Sequence, residues 1–145
     1  MQITPYDTTG TTRTLPVAMV SMECDLDPEI NRGRMDDYIT EIMTEHPEVR
    51  LICFGETILG WYWKPWEAKA YQKRVAEPID GTTVTLIKKR AAEYEVYIAF
   101  GFAESDGDTL YNSAVIIDDT GEIIAHRHKS HFVPMDCWSG FTAGE

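Results

Sequence analysis

The feature of this sequence that most limits its fold is a change of pattern near residue 95. Before that point, short apolar runs alternate with segments of helical periodicity; after it, three strand-like runs are separated only by tight turns. Strands linked through helices pair in parallel, whereas strands linked by hairpin turns pair antiparallel. The sequence therefore predicts an α/β fold in which a mixed sheet is covered by helices, with the order β-α-β-α-β-β-β.

Apolar periodicity predicts two helices. The first carries apolar residues at the spacing of a single helix face, namely Met35, Tyr38, Ile39, Ile42 and Met43. Pro47 ends this helix, and the second helix is predicted from Thr82 to about Tyr94. Strands are predicted over residues 16–22, 49–56, 96–103, 110–118 and 122–129.

The predicted strands are apolar on both faces, as in residues 51–54 and 97–102. Helices that cover only one side of such a sheet leave its other apolar face bare. Further chain or another subunit has to cover that face, because a large bare apolar surface is normally an interaction site. We therefore expect a homo-oligomer or a larger domain.

Charge narrows the range of partners. The 145 residues include 13 Lys and Arg against 24 Asp and Glu, a formal net charge of -11. A protein this acidic repels phosphate backbones and anionic lipid, so neither nucleic acid nor a membrane is expected as a partner. Residues 1–14 are predicted to form a polar tail without the apolar stretch of a signal peptide. Three widely spaced cysteines then predict a cytoplasmic protein with free thiols.

Two charged residues at the ends of predicted strands are candidates for chemistry. Glu56 directly follows the apolar run that stops at Gly55, a place where α/β sheets often hold their active groups. It acts there either as a general base or as a cap of the following turn. Lys129 ends the last predicted strand, where it either stabilises an oxyanion or faces solvent.

Three of the four histidines, His126, His128 and His131, lie within six residues. His126 and His128 share a strand face by their period-2 spacing, which suggests zinc or another metal that binds imidazole. Arg127 and Lys129 alternate with them and no carboxylate lies within the segment, and both observations weigh against a cation. A metal site and a structural role remain as alternatives.

Cysteines and aromatic residues add two further candidates. Cys53 lies in the middle of a predicted strand and is expected to be buried and inert, whereas Cys137 lies in a predicted loop and is a weaker candidate nucleophile. Residues 60–66 hold three of the four tryptophans, and Trp61 and Tyr62 lie in this segment. Such a loop forms either a lid on the core or the wall of a pocket.

Several motifs occur in an order that resembles the nitrilase superfamily of carbon–nitrogen hydrolases over about residues 15–145. The resemblance begins with the strand Val17–Met22, the loop Asp25–Glu29 and Asn31 before the first predicted helix. It continues with the apolar strand that ends in Glu56 and is followed by glycine and aromatic residues, with Gly55 where proline is usual. The motifs that resemble the family further along are Gly101–Glu104, Leu110–Ala114, Asp118–Gly121, Lys129–Phe132 and Phe141–Glu145.

This resemblance implies half of a four-layer αββα sandwich and the hydrolysis of a non-peptide C–N bond in a small amide, nitrile or carbamoyl compound. It implies that Glu56 is the general base, that Lys129 stabilises the oxyanion, and that a cysteine is the nucleophile. Trp61 and Tyr62 become candidate substrate-binding residues. No metal or organic cofactor is implied.

The sequence departs from the family pattern at two points. The family nucleophile lies some tens of residues beyond the lysine. Residues 15–145 are therefore expected to be the N-terminal part of a hydrolase domain and to end before the position of that nucleophile. Such a chain is predicted to be inactive alone. A second family glutamate after the lysine has no clear counterpart, although Asp136 is the nearest carboxylate. A non-catalytic half-domain that serves in binding or assembly is the alternative function.

Overall fold

The structure is a computed structural model that describes residues 14–60 and 64–145. The elements in these residues are, in chain order, β1 (Val17–Met19), α1 (Pro28–Glu45), β2 (Leu51–Cys53), α2 (Pro65–Val75), α3 (Thr82–Tyr94), β3 (Tyr97–Asp106), β4 (Thr109–Ile117), β5 (Ile123–His128) and α4 (Pro134–Ser139). The strands form one sheet in the order β1-β2-β3-β4-β5.

The sheet is mixed, as the sequence predicts. β1, β2 and β3 are parallel, and helices connect them, whereas β3, β4 and β5 are antiparallel neighbours. The two tight connections contain Gly107 and Gly121, whose φ angles of 56° and 84° lie in the left-handed region that glycine adopts most readily. The predicted α/β class is confirmed.

Helices α1 and α3 cover one face of the sheet. The core on this side contains fully buried side chains from both helices and from the strands, including Met35, Ile39, Ile42, Ile87, Ile52, Ile98 and Phe102. The Arg90 guanidinium joins the two helices through both Asp36 oxygens, at 2.5 and 2.8 Å. These hydrogen bonds hold the pKa of Asp36 below its usual value.

The opposite face is apolar and largely open to solvent in the described part of the chain. Strand register places one row of side chains across all five strands, namely Met19, Cys53, Ala99, Ile116 and Ala125. The Met19 and Val17 residues at the β1 edge are 73% and 41% exposed. This is the bare face that the sequence predicts.

Two helices, α2 and α4, are not predicted from the sequence. The buried face of α2 includes Ala68 and Gln72 beside Tyr71 and Val75, so its apolar periodicity is weak. With only six residues, α4 is too short to show a period. Strand β2 is also shorter than predicted, because its pairing with β1 and β3 covers only Leu51–Cys53 and the chain enters a turn at residues 56–59. Among the described residues, no helix has the length and apolar character that a bilayer span requires.

Candidate active site

Four polar side chains meet where strands β2 and β5 end. Lys129 Nζ lies 2.8 Å from Glu56 Oε1 and 2.9 Å from Asp136 Oδ2. Asn112 Nδ2 donates to the same Glu56 oxygen at 2.5 Å and to Asp136 Oδ1 at 3.0 Å. The two catalytic candidates from the sequence, Glu56 and Lys129, are thus in direct contact. We refer to these four residues as the Lys129 cluster.

A tight packing contact positions Glu56. The turn after β2 is bound to β3 by two backbone hydrogen bonds, from Gly101 N to Gly55 O at 3.1 Å and from Ile58 N to Gly101 O at 2.9 Å. A Cβ atom on Gly101 would lie only 3.0 Å from Glu56 Cα. Glycine at this position therefore lets the turn that carries Glu56 approach the sheet.

The residue after Glu56 is strained. Thr57 has a φ of 47°, and a β-branched residue in the left-handed region is a conformational outlier. Its residue surface is 1% exposed, and its Oγ1 has no hydrogen-bond partner among the residues that the structure describes. Strain of this kind, of order 1–3 kcal/mol, clusters at functional sites and persists only where the surroundings enforce it.

Strand pairing and a short helix position the other members. Lys129 N donates to Asn112 O at 2.8 Å, so the register of β4 and β5 sets these two residues side by side. Asp136 lies in the first turn of α4, where its Oδ2 accepts a hydrogen bond from Val133 N at 2.8 Å. The Asp136 side chain is 3% exposed, against 28% for Lys129 and 51% for Glu56.

Lys129 and Asp136 stabilise each other's charged forms. Burial by itself would raise the pKa of Asp136, but hydrogen bonds from Lys129, Val133 and Asn112 outweigh it, and the pKa lies below its usual value. Burial would likewise lower the pKa of Lys129, but its contacts with Glu56 and Asp136 raise that pKa above its usual value. Both residues are therefore charged at neutral pH.

An open pocket of about 620 Å³ adjoins the Lys129 cluster. Glu56, Asn112 and Lys129 line one part of it, and small residues such as Ala99 and Ala114 line another. This volume lies within the range of small-molecule sites, about 300–1,000 Å³. The predicted substrate-binding residues Trp61 and Tyr62 lie outside the described residues, so their role stays a prediction.

The cysteines lack the surroundings of an activated nucleophile. Burial raises the pKa values of the Cys24 and Cys53 thiols, which disfavours the thiolate. Cys24 Sγ donates to Ile58 O at 3.6 Å, and Cys53 lies within β2. Cys137 is exposed on α4. Within the described residues, no cysteine makes a hydrogen bond to Glu56 or Lys129.

The structure brings together two of the three clustered histidines. His126 Nε2 and His128 Nε2 lie 2.6 and 3.2 Å from the same oxygen, Oε2 of Glu104. His131 is exposed, and its Nδ1 lies 3.0 Å from Ser130 Oγ instead. The carboxylate beside the histidines comes from another strand, which the sequence analysis did not anticipate.

Sequence reasoning gave no role to two members of the Lys129 cluster, Asn112 and Asp136. Asn112 lies within one of the quoted motifs, and Asp136 is the carboxylate nearest to the family's second glutamate. The signal for Asp136 is a single carboxylate shortly after Lys129 in a segment otherwise free of acids until Glu145.

Comparison with known proteins gives the family. The chain belongs to the carbon-nitrogen hydrolase family, whose sequence profile matches residues 16–145. A cyanide hydratase of Neurospora crassa is 31% identical over 123 residues, which cover 77% of this chain and 34% of that protein. A formamidase of Bacillus thuringiensis is 30% identical over 133 residues, which cover 89% of this chain and 38% of that protein. The chain thus spans little more than a third of the length of these relatives.

Solved structures agree on the fold. The crystal structure of Saccharomyces cerevisiae Nit3, a member of branch 10 of the nitrilase superfamily, superposes with a TM-score of 0.75 at 22% identity. The match covers 90% of this chain and 49% of that one. The resemblance to the nitrilase superfamily and its fold, predicted from the motifs, is confirmed.

Proposed function

We propose that this chain supplies the general base and the oxyanion-stabilising cation of a hydrolase that cleaves non-peptide C–N bonds in small amides or nitriles. The observation that carries the proposal is the direct contact between Glu56 and Lys129 beside an open pocket. Membership of the carbon-nitrogen hydrolase family supports the reaction class.

In the proposed mechanism Glu56 takes the proton from a cysteine thiol. Both hydrogen bonds that the described residues make with this carboxylate, from Asn112 and Lys129, reach Oε1. They fix the orientation of the side chain, so Oε2 is the proposed proton acceptor. With an amide, the thiolate attacks the carbonyl carbon, the C–N bond breaks as Glu56 returns the proton to the departing amine, and water then hydrolyses the thioester to the acid and the free thiol. With a nitrile, the thiolate adds to the carbon, the nitrogen takes the proton to give a thioimidate, and water then attacks that carbon.

Lys129 stabilises the negative charge that develops on the substrate when the carbon is attacked. The buried carboxylate of Asp136 holds the ammonium in place and keeps it charged, as the raised pKa of Lys129 indicates. A cation that is oriented before the reaction has little reorganisation to undergo as the oxyanion forms. Asp136 and Asn112 are accordingly proposed as positioning residues.

The nucleophilic cysteine is proposed to come from outside residues 1–145. Cys24 and Cys53 have raised pKa values, and Cys137 has no described contact with the proposed base. The chain by itself is then inactive. A cytoplasmic location, which we also propose, would keep the nucleophilic thiol reduced.

The proposed substrates are small. The relatives named cyanide hydratase and formamidase carry names of one-carbon substrates. The Trp61–Tyr62 segment follows the Glu56 turn in sequence and is proposed to form a wall of the substrate pocket.

The proposal is tested by enzyme assays of the full-length protein encoded by the natural reading frame that contains these residues. The assays measure release of ammonia from formamide and other short amides, and hydration of short nitriles. Glu56→Gln and Lys129→Met are each expected to lower kcat/KM by at least about 100-fold. Glu45→Gln changes an exposed glutamate at the end of α1 and is the matched control. Turnover that survives Glu56→Gln would remove Glu56 as the base, and turnover by the 145-residue chain alone would contradict the external cysteine.

The exposed apolar face favours a second candidate function, a non-catalytic module for binding or homo-oligomeric assembly. Met19 and Val17 on this face are 73% and 41% exposed, which is unusual for residues of a sheet. Sedimentation velocity of the 145-residue chain tests it. Self-association that Met19→Glu abolishes would support assembly, whereas a stable monomer across the micromolar range would oppose it.

A further inference from the structure

We propose that Glu104, His126 and His128 form a binding site for one divalent transition-metal ion, with zinc the best fit, separate from the Lys129 cluster. One donor atom from each residue lies within 4.8 Å of the other two. Two imidazoles and one carboxylate are a ligand set that zinc accepts in proteins. The site goes beyond the proposed hydrolysis, which needs no metal.

The spacing of the donor atoms suits a small cation. Zn–N and Zn–O bonds of about 2.0–2.1 Å in a tetrahedral site place ligand atoms about 3.3 Å apart. His128 Nε2 already lies 3.2 Å from Glu104 Oε2, and His126 Nε2 lies 2.6 Å from it. All three donor atoms lie within 4.8 Å of one another, so adjustment of the side chains is needed for all of them to reach one ion.

Neighbouring side chains fix the orientation of these donors. Ser113 Oγ donates to Glu104 Oε2 at 2.6 Å, and the Tyr111 ring stacks on His128 with the ring centroids 3.9 Å apart. Contacts of this kind, one step removed from the metal, set the direction of ligands and tune metal affinity. The carboxylate is also almost fully buried, since Glu104 is 4% exposed. A buried charge requires a positive partner, which a metal ion supplies.

The fold answers the two observations in the sequence that weigh against a metal, namely the lack of a nearby carboxylate and the presence of cations between the histidines. The missing carboxylate is Glu104, which β3 contributes through the β3–β4–β5 register. The interleaved cations point elsewhere. Arg127 is the register partner of Ala114, and strand alternation places its side chain on the sheet face opposite to His126 and His128. The Lys129 ammonium binds Glu56 and Asp136 instead.

The alternative without metal is a protonated imidazole paired with Glu104. A metal that binds the two Nε2 atoms takes the place of this ion pair, because a nitrogen that coordinates a metal cannot also carry a proton. A simple ion pair would take up no metal at any pH. Stoichiometric binding therefore distinguishes the two.

Isothermal titration of the chelator-treated 145-residue chain with zinc chloride tests the site, and cobalt chloride provides a visible absorption band. We expect one ion per chain. His126→Gln and His128→Gln should each weaken binding by at least about 10–100-fold, the loss typical when even an indirect partner is removed. His131→Gln is the matched control, because His131 is exposed and lies outside the cluster.

Chemical modification of the wild-type chain covers the case in which a variant fails to fold. Diethyl pyrocarbonate labels accessible imidazoles, and bound zinc should protect His126 and His128 but not His131. Three results would each overturn the proposed metal site. They are the absence of stoichiometric binding, an equal loss of binding in all three histidine variants, and zinc protection that is the same for all three histidines. None of these measurements depends on hydrolase activity, so the two proposals fail separately.

Discussion

Lys129 Nζ lies 2.9 Å from Oδ2 of Asp136, whose side chain is 3% exposed. The carboxylate is thus enclosed by protein, while the ammonium reaches from it to the half-exposed Glu56. A buried carboxylate of this kind is stable only while its cationic partner remains. The Lys129–Asp136 pair therefore bears on stability as well as on the proposed chemistry.

Removal of the Lys129 charge should destabilise the chain measurably. Lys129→Met leaves Asp136 buried without its cation, and we expect a loss of about 2 kcal/mol in the free energy of unfolding. Urea denaturation followed by circular dichroism measures this loss. Lys89→Met, at an exposed position of α3, should change it by less than about 0.5 kcal/mol. Equal effects of the two substitutions would show that the pair contributes nothing to stability.

Acid should remove the stabilisation that Asp136 provides. Because the folded-state pKa of Asp136 lies below its ordinary value of 3.8, the unfolded chain binds the proton first as pH falls. The stability difference between wild type and Asp136→Asn should be constant near neutral pH and shrink below about pH 4. Urea titrations between pH 7 and 3 measure it. A difference independent of pH would contradict a charged Asp136 in the folded state.

Asn112→Asp tests the bridging amide. Asn112 Nδ2 donates to both Glu56 and Asp136, so an aspartate at this position replaces a shared donor with a third carboxylate. We expect a loss of about 2–4 kcal/mol at pH 7, of which part should be recovered near pH 4 as carboxylates become protonated. Asn112→Ala, which removes the donor without adding charge, should be less destabilising at pH 7. The opposite ranking at pH 7 would refute the bridging role.

The fold was more accessible from the sequence than the site. The helix at Thr82–Tyr94 and the strands on either side of the Gly107 turn follow from local patterns that tertiary packing reinforces. Glu56 and Lys129 were assigned to one catalytic mechanism only through the family resemblance, since the two residues lie 73 positions apart. No local pattern carries such information.

The members that sequence reasoning missed are those that depend on strand register or on weak helices. Glu104 meets His126 only because β4 lies between β3 and β5 in a particular register. Asp136 enters the Lys129 cluster on the six-residue helix α4, which is too short for its apolar period to be recognised. Both depend on contacts between distant segments, which a single sequence does not encode locally.

Gly101→Ala should displace the turn that carries Glu56. The new Cβ would lie 3.0 Å from Glu56 Cα and 3.3 Å from Ser113 O, so the turn must move by a few tenths of an ångström. We expect a loss of about 1–3 kcal/mol in the free energy of unfolding, as for other overpacked sites. The hydrogen bond from Lys129 to Glu56 should lengthen, and kcat of the product of the natural reading frame should fall.

Gly55→Ala is the control for this substitution, because it adds the same methyl group next to Glu56 but meets nothing within 4 Å. Urea denaturation of the 145-residue chain and ammonia release by the product of the natural reading frame measure the two effects. Because Gly55 is not held at a left-handed φ, alanine there costs little conformational strain. If Gly55→Ala lowered stability and kcat as much as Gly101→Ala, flexibility of the turn would matter, rather than its close approach to β3.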